Sequence, residues 1–259
     1  MTASIQTVQK PTKARALDNS GNNNHGQIYS GRALEFDGIS DRFTNGTAVE
    51  GVSKFSDGKE WTFACWLYFD SSMSSDIYYV GVDEGTNPHI LLENTGNLLQ
   101  IRDSSSNYYD FNANVGIETN TWYRQVIVSN GVTATCYLNG VLHGTITDGQ
   151  TDKNGANGWN TTEMYFNGWG TPYETSGTWY YHMNGKMSDG QVWDVAWTAD
   201  DAAFDYANPE QLALNRGGTS LTNSNLKIWY PMNDGHRGQQ SFILDASNTG
   251  LGDDLIGSQ

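Results

Sequence analysis

The 259-residue sequence is poor in basic residues and has no long apolar run. It carries 14 Lys and Arg against 29 Asp and Glu, which gives a formal net charge of −15 at pH 7. Because nucleic-acid phosphates are bound by clustered Lys and Arg, this deficit argues against a nucleic-acid partner. No apolar run approaches the ~18 residues that a membrane-spanning helix needs. We therefore expect neither nucleic-acid binding nor insertion into a membrane.

Cysteine is also scarce, since the chain has only Cys65 and Cys136. Both lie in apolar segments typical of strands, and their spacing gives no support for a disulfide. Buried, reduced thiols are the expected state for a chain that folds in a cytoplasm, although pairing stays open. The N-terminus lacks the apolar stretch of a signal peptide, which predicts that the protein is not secreted by the usual route.

The residues that are abundant favour β structure. Aromatic residues make up 12% of the chain, and there are 29 glycines but only five prolines. Alternating apolar segments recur about eleven times, separated by Gly, Asn and Asp. This pattern predicts two packed antiparallel sheets. The Asn139-Gly140 pair between two apolar runs predicts a tight hairpin. One short helix is expected, capped by Thr198 with Asp201 at its third position and ended by Pro209.

No composition break divides the chain, so we predict one domain at 17–259 after an N-terminal arm at 1–16. The arm concentrates three basic residues, Lys10, Lys13 and Arg15. Two interpretations of the arm remain open. It is either a solvated tail or an anchoring arm that docks on an acidic neighbouring subunit.

Several motifs together resemble a known family. They are DNSGNNNHG, ALEFDGISDRF, WTFACWLYF, WYRQVIVSNGVTATCYLNGVLHG and HMNGKMSDGQVWDVAWTADD. This order is similar to the LamG-like branch of the concanavalin A-like jelly rolls, a fold shared with pentraxins and laminin G modules. The resemblance covers residues 17–248 and is most specific over 184–201, with Gly185, Val192, Trp193 and Thr198. It implies an all-β, two-sheet antiparallel jelly-roll sandwich.

In detail, the chain is most similar to LamG-like proteins of marine bacteriophages. That resemblance implies a non-enzymatic virion surface protein, such as a capsid decoration or an appendage, assembled in the host cytoplasm. Its partners would be capsid or tail proteins, sister subunits in an oligomer, and glycans of the host surface. The alternative is a free, lectin-like carbohydrate-binding module, with calcium dependence as an option.

The comparison with pentraxins also marks differences. Pentraxins bind calcium through acidic and amide residues in a loop where this chain offers only Glu174 as a carboxylate. Because calcium needs six to eight oxygen ligands, we expect the double-calcium site to be missing. Cys65 matches one half of the pentraxin disulfide, but the second position is not a cysteine.

The carboxylate pattern of related jelly-roll glycosidases, Glu-x-Asp-x-x-Glu, is absent from the sequence. Retaining glycosidases need two carboxyls about 5 Å apart. Asp83 and Glu84 are adjacent, so on a strand they would point to opposite faces. The five histidines have no zinc spacing. We therefore expect no enzymatic activity and no cofactor, and a hydrolase with an unrecognised carboxylate pair is the weakest alternative.

A single structural cation, which would be calcium, is the remaining metal hypothesis. Asp18, Asn22 and Asn24 are close in sequence, and Asp37 would join them after the chain turns back. The competing interpretation is that these residues form Asx turns beside glycines. We favour the turns.

Aromatic residues in loops are the best candidates for a contact surface. Trp159, Trp169 and Tyr173 lie in segments rich in Gly, Asn and Thr, where burial is hard to arrange. Amphipathic rings of this kind suit stacking on sugars or a subunit interface, and we favour interface or loop packing. Trp193 and Trp197, in contrast, are expected on one strand and in the core.

Overall fold

Alternating apolar residues build the central strands. The structure is a computed structural model, and it describes residues 5–7, 32–70, 75–83, 85, 88–160, 162–170, 173–232, 242–243, 246–247 and 255–258. Two main antiparallel sheets pack face to face, and strands make up 45% of the structure. The predicted fold class, an all-β sandwich of the concanavalin A type with one short helix, is confirmed.

The first sheet has eight strands. Its order is β1 (Ile5–Thr7), β2 (Arg32–Asp37), β17 (Asn184–Trp193), β5 (Glu60–Phe69), β10 (Trp122–Asn130), β11 (Ala134–Leu138) and β12 (Val141–Ile146), and β18 (Leu226–Tyr230) pairs with β17. The two longest pairings join β5 to β10 and to β17. Apolar residues on both faces of β5 explain its central position, because both faces of such a strand must be packed against other parts of the protein.

The second sheet also has eight strands. Its order is β19 (Phe242–Ile243), β20 (Leu255–Ser258), β3 (Arg42–Thr44), β14 (Gly168–Trp169), β6 (Ile77–Gly81), β7 (His89–Glu93), β8 (Leu98–Arg102) and β9 (Tyr108–Asp110). Two small hairpins complete the described strands: β4 (Lys54–Phe55) with β13 (Met164–Tyr165), and β15 (Glu174–Thr175) with β16 (Thr178–Trp179).

The main core lies between the sheets and is rich in aromatic rings. Phe63 of the first sheet stacks on Phe166, with ring centroids 5.9 Å apart and planes 15° apart. Trp169 of the second sheet lies 5.7 Å from Phe63 and 5.3 Å from Tyr230. Aromatic pairs of this kind add stabilisation to that which comes from the buried apolar area, so they help to hold the two sheets together.

A second apolar cluster closes the outer face of the first sheet. Helix α1 (Ala199–Ala207) and the segment after it pack on outward-facing residues of the sheet. The cluster consists of Ala64, Val126, Val128, Trp193, Trp197, Ala202, Leu212, Ala213, Leu226 and Trp229. Trp193 and Trp197 are buried as predicted, but Trp197 lies in the connection to α1 and not on the strand.

The predicted local signals are confirmed at α1 and at the β11–β12 hairpin. The Thr198 hydroxyl accepts a hydrogen bond from the Asp201 N–H at 3.1 Å, and the Thr198 N–H donates to the Asp201 carboxylate at 2.9 Å. Asn139 and Gly140 have φ angles of 52° and 78°, as a type I′ turn requires. No helix among the described residues has the length and apolar character needed to cross a membrane.

A fully buried ion-pair network fixes α1 to the first sheet. The Arg124 Nε donates to Asp205 Oδ2 at 2.6 Å, and its Nη2 donates to Asp205 Oδ1 at 3.2 Å. A β-bulge in β17 brings Asp189 to 3.2 Å from the same guanidinium. Burial lowers the pKa of Arg124, but the two carboxylates outweigh this and raise it, so the arginine stays charged.

The two cysteines are buried, and neither forms a disulfide. Cys65 is paired laterally with Gln125 of β10, while Cys136 is paired with Ile127 on the other side of the same strand. Because β10 lies between them and their partners on β10 are two residues apart, their Cα atoms are more than two strand spacings apart, about 10 Å or more. A disulfide needs Cα atoms within about 7 Å, so this fold does not allow one between Cys65 and Cys136.

Candidate functional site

A cleft opens where three strands of the second sheet end. Thr44 of β3 is paired with Gly168 of β14, and Gly168 is paired with Gly81 of β6. The cleft has a volume of about 640 Å³, which lies within the range of small-ligand sites. It is lined by Thr44, Gly46, Thr47, Ala48, Lys54, Val82, Asp83, Tyr165 and Asn167.

Hydrogen bonds hold the polar groups of the cleft in fixed positions. The Thr44 hydroxyl donates to Asp83 Oδ2 at 2.6 Å, and the Asp83 N–H donates to Asn167 Oδ1 at 3.2 Å. Asn167 is buried, and its Nδ2 donates to the Gly46 carbonyl at 2.8 Å. The carboxylate, amide and hydroxyl are therefore preorganised, and a ligand would not have to order them on binding.

One wall of the cleft is an aromatic ring beside a lysine. The Lys54 Nζ lies 5.1 Å from the centroid of the Tyr165 ring and 3.4 Å from Glu163 Oε2. Tyr165 and then Glu163 raise the pKa of Lys54, so its ammonium group is charged at neutral pH. The cleft thus combines a flat ring with several hydrogen-bonding groups.

Asp83 is the only carboxylic acid among the described residues that line the cleft. Glycoside hydrolysis by the common mechanisms needs two carboxyl groups that flank the scissile bond. Among the described lining residues, no second carboxyl group accompanies Asp83.

A group of tyrosines lies on the outer face of the same sheet, and we call it the tyrosine cluster: Tyr78, Tyr108, Tyr173, Tyr180 and Tyr181. Tyr78 stacks on Tyr181 with centroids 4.9 Å apart, and Tyr173 lies 5.2 Å from Tyr78 and 6.1 Å from Tyr180. The Tyr78 and Tyr108 hydroxyls are hydrogen-bonded at 2.8 Å. Tyr180 is 43% exposed, so part of the cluster reaches the surface.

The backbone at Tyr181 is strained. Its φ angle of 61° lies in the left-handed region, which is uncommon for a bulky residue. The stack on Tyr78 and a hydrogen bond from the Tyr78 N–H to the Tyr181 carbonyl at 3.1 Å hold it there. The hairpin that carries Tyr173 and Tyr180 is therefore anchored firmly over the second sheet.

The three aromatic residues singled out from the sequence have different positions. Trp169 is fully buried between the sheets, and its Nε1 donates to the Phe166 carbonyl at 2.8 Å. Trp159 is 4% exposed, packs edge-on against Tyr109 at 5.0 Å and donates to the Val132 carbonyl. The expectation of exposed loop rings is corrected for both tryptophans, since long-range packing buries their segments. Tyr173 is half-buried in the tyrosine cluster.

The cation hypothesis can be compared with the structure only at Asp37, because Asp18, Asn22 and Asn24 lie outside the described residues. The Asp37 carboxylate accepts the N–H groups of Ile39, Ser40 and Asp41 at 2.8, 2.8 and 3.1 Å. Burial raises the pKa of Asp37, but these donors outweigh it and lower the pKa overall. Asp37 therefore closes an Asx-type turn, the arrangement that we favoured.

No group of three His, Cys, Asp or Glu side chains within the described ranges is placed to hold a metal ion. Glu174, the carboxylate at the pentraxin-like calcium position, lies in the β15–β16 hairpin and accepts the Gly177 N–H. Lys10, Lys13 and Arg15 fall outside the described part of the chain. Ile5–Thr7, within the predicted arm, form β1 and pair with β2.

Sequence reasoning missed the cleft. Asp83 was considered only as half of a catalytic pair with Glu84, and neither Thr44 nor Asn167 was singled out. The available signals were weak, namely two Asn-Gly pairs, at Asn45-Gly46 and Asn167-Gly168, which place short amides next to flexible backbone.

The sandwich agrees with the comparison with protein families. A laminin G-type family model, described as the concanavalin A-like lectin/glucanases superfamily, matches residues 41–203. The match covers more than half of the chain, and the chain therefore belongs to this superfamily. No curated protein sequence matches the chain.

Several solved structures share the fold at low sequence identity. A candidate carbohydrate-binding protein from Bacteroides ovatus has a TM-score of 0.55 and 14% identity, over 87% of this chain and 57% of that one. Tailspike protein 2 of bacteriophage CBA120, in its enzymatically active domain, has a TM-score of 0.50 and 10% identity, over 90% and 32%. A heptameric SAP-like pentraxin from Limulus polyphemus has a TM-score of 0.48 and 17% identity, over 67% and 81%. The chain thus spans only part of the first and second of these proteins.

Proposed function

We propose that this chain is a non-enzymatic carbohydrate-binding domain and that the cleft at the end of the second sheet holds the sugar. The observation that carries the proposal is the convergence of Asp83, Asn167 and Thr44 beside the Tyr165 ring. A sugar presents hydroxyl groups at its edges and C–H groups on its faces. Fixed acceptors and donors suit the edges, and an amphipathic ring suits a face.

The comparisons support this proposal at the level of the fold. The superfamily includes lectins in its description, and the Bacteroides ovatus protein of similar fold is described as a candidate carbohydrate binder. The superfamily also includes glucanases, and the tailspike domain is enzymatically active. The single carboxylate among the described lining residues is the reason why we propose binding without hydrolysis.

The proposal is tested by screening the protein on an array of immobilised oligosaccharides and titrating the hits in solution. Asp83→Asn should weaken binding about 10-fold or more, because hydrogen bonds to charged groups are the strong ones. Tyr165→Ala should weaken it by about 2- to 12-fold through loss of the ring. Asp148→Asn, at an exposed loop position, is the matched control and should change nothing.

Two results would overturn this function. Either the protein binds no oligosaccharide on the array, or both cleft variants bind as the unchanged protein does while retaining its melting temperature. Repeating the titration with a chelator tests the calcium-dependent form of the proposal. Release of hydrolysis products would instead establish an enzyme.

We propose, as a second candidate function, that the domain is displayed on a virion surface after assembly in the host cytoplasm. The resemblance of its motifs to LamG-like phage proteins supports this, and so does the similar fold of the bacteriophage CBA120 tailspike domain. Its partners would then be capsid or tail proteins and sister subunits, with the glycan cleft facing the host.

The virion proposal is tested by co-sedimentation of the tagged protein with purified particles. The arm is best altered by the triple substitution Lys10→Gln, Lys13→Gln and Arg15→Gln, because deletion of residues 1–16 would also remove β1. Loss of incorporation in the triple variant would support anchoring through the arm. Normal incorporation would contradict anchoring, and absence of the protein from particles would contradict the virion role itself.

A further inference from the structure

A single row of laterally paired residues crosses six strands of the second sheet at the end that holds the cleft. The pairs follow one another without a break from β3 to β9: Thr44, Gly168, Gly81, His89, Arg102 and Tyr108. With five steps of about 4.8 Å each, the row extends about 24 Å across the strands. It is therefore longer than the cleft alone.

The side chains of this row point away from the core. The next row along the same strands contains Phe43, Trp169, Val80, Ile90, Ile101 and Tyr109, and all six are buried between the sheets. Because successive residues of a strand point to opposite faces, the row from Thr44 to Tyr108 faces outward.

The far end of the row carries rings and positive charges. The guanidinium carbon of Arg102 lies 5.1 Å from the Tyr108 ring and 5.2 Å from the Tyr173 ring. The Lys153 Nζ lies 4.5 Å from the centroid of the Tyr108 ring. Lys153 is exposed, and within the described part of the chain it forms no salt bridge.

Tyr173 connects this end to the cleft. Its ring covers His89 at a centroid distance of 5.9 Å, and Tyr173 is paired with Gly85, two residues after Asp83 of the cleft. The surface above the row therefore passes from the cleft over Tyr173 to Arg102, Tyr108 and Lys153. Partly exposed rings alternate along it with three of the 14 basic residues, Lys54, Arg102 and Lys153, of a chain whose net charge is −15.

We infer that the cleft is one end of an extended groove for a polysaccharide that carries carboxylate groups, such as a chain of uronic acids. The inference rests on the proposed sugar-binding function of the cleft. One sugar occupies the cleft, and the following sugars pack on Tyr173 and Tyr108. Their carboxylates lie near Arg102 and Lys153.

A uronic acid chain fits these features better than a neutral glycan or a nucleic acid. A neutral glycan would make no use of Lys153, which lies at the end of the surface farthest from the cleft. A nucleic acid needs several Lys and Arg along its phosphates, whereas the groove presents three, Lys54, Arg102 and Lys153, together with the Asp83 carboxylate. The basic side chains beside aromatic rings thus suit a polysaccharide whose sugar rings pack on the aromatic rings and whose carboxylates pair with the basic groups.

The test compares digalacturonate, hexagalacturonate and a neutral galactan hexamer as ligands in calorimetric titrations at low and moderate salt. Hexagalacturonate should bind more tightly than digalacturonate, and added salt should narrow the difference. Lys153→Gln should weaken hexagalacturonate about two- to fivefold, which is the scale of an exposed ion pair, and leave digalacturonate unchanged. Lys59→Gln, which changes an exposed lysine immediately before β5 of the first sheet, is the matched control with no expected effect.

Substitutions at Tyr108 provide a second, independent test. Tyr108→Ala should weaken hexagalacturonate by about 2- to 12-fold, whereas Tyr108→Phe keeps the ring and should retain binding. If Lys153→Gln and Tyr108→Ala leave hexagalacturonate unchanged while Tyr165→Ala weakens it, the groove is wrong and the cleft stands. If Tyr165→Ala weakens the binding of no ligand, the proposed sugar-binding function of the cleft is contradicted, and the groove with it. Preferential binding of the neutral hexamer, or of single-stranded oligothymidylate, would also overturn the inference.

Discussion

The buried network around Arg124 gives the sharpest prediction about stability. Asp205→Ala removes the carboxylate that accepts two hydrogen bonds from the guanidinium, at 2.6 and 3.2 Å. Arg124 and Asp205 are both fully buried, so water cannot replace the lost partner. The remaining carboxylate, Asp189, also accepts from the Trp229 indole at 2.8 Å and the Gln191 amide at 3.1 Å, and cannot turn fully toward Arg124.

Removing one partner of a buried pair costs about 3–5 kcal/mol of folding free energy. Asp205→Ala should therefore lower the midpoint of urea unfolding strongly, and it should loosen α1, which carries Asp205. The double variant Arg124→Met with Asp205→Leu removes both charges and should recover much of the loss, since replacing a buried ion pair by apolar residues is often neutral.

The assay is equilibrium unfolding in urea, followed by tryptophan fluorescence, with Asp148→Ala as the exposed control within about 0.5 kcal/mol of the unchanged protein. The reasoning would be refuted if Asp205→Ala unfolded within about 1 kcal/mol of the unchanged protein, because the network would then contribute little. It would also be refuted if the double variant lost as much stability as the sum of the losses in the single variants Arg124→Met and Asp205→Leu.

Three further predictions concern local features. Asp37→Asn should destabilise the protein by about 1–2 kcal/mol at neutral pH. Because the pKa of Asp37 is lowered in the folded state, this difference should shrink as the pH falls below about 3.9, and a constant difference would contradict the turn. Cys65 and Cys136 should both react with a thiol reagent only after denaturation, and fewer than two reactive thiols in the unfolded, unreduced protein would indicate a disulfide. Gly185→Ala should cost about 1–3 kcal/mol in a melting experiment, because its Cβ would lie 2.0 Å from the Tyr68 carbonyl oxygen, and an unchanged melting temperature would show that the strands adjust.

Features that depend on neighbours in sequence could be predicted, and those that depend on distant pairing could not. The hairpin at Asn139-Gly140 and the cap at Thr198 are determined within a few residues. Trp169, in contrast, is buried because its strand pairs with Phe43 and Val80, which lie far away in the chain. Its Gly- and Asn-rich surroundings are typical of an exposed loop, and local composition was therefore misleading.

The candidate site was invisible in the sequence for the same reason. The Thr44 and Asp83 side chains that meet in the cleft are 39 residues apart, and Asp83 and Asn167 are 84 residues apart. Polar residues scattered in this way form no motif, and only strand order brings them together. The row from Thr44 to Tyr108 likewise depends on which residues of neighbouring strands are paired. The sequence pattern indicates only which face of each strand is buried.

The closed outer face of the first sheet makes the molecule suitable for oriented attachment. Helix α1 covers that face, whereas the cleft and the tyrosine cluster lie on the second sheet. Both native thiols are buried, so a cysteine introduced at exposed Ala207 would be the one readily labelled position. A sensor surface or fluorophore coupled there would sit on the helix side and leave the sugar-facing side open to solution.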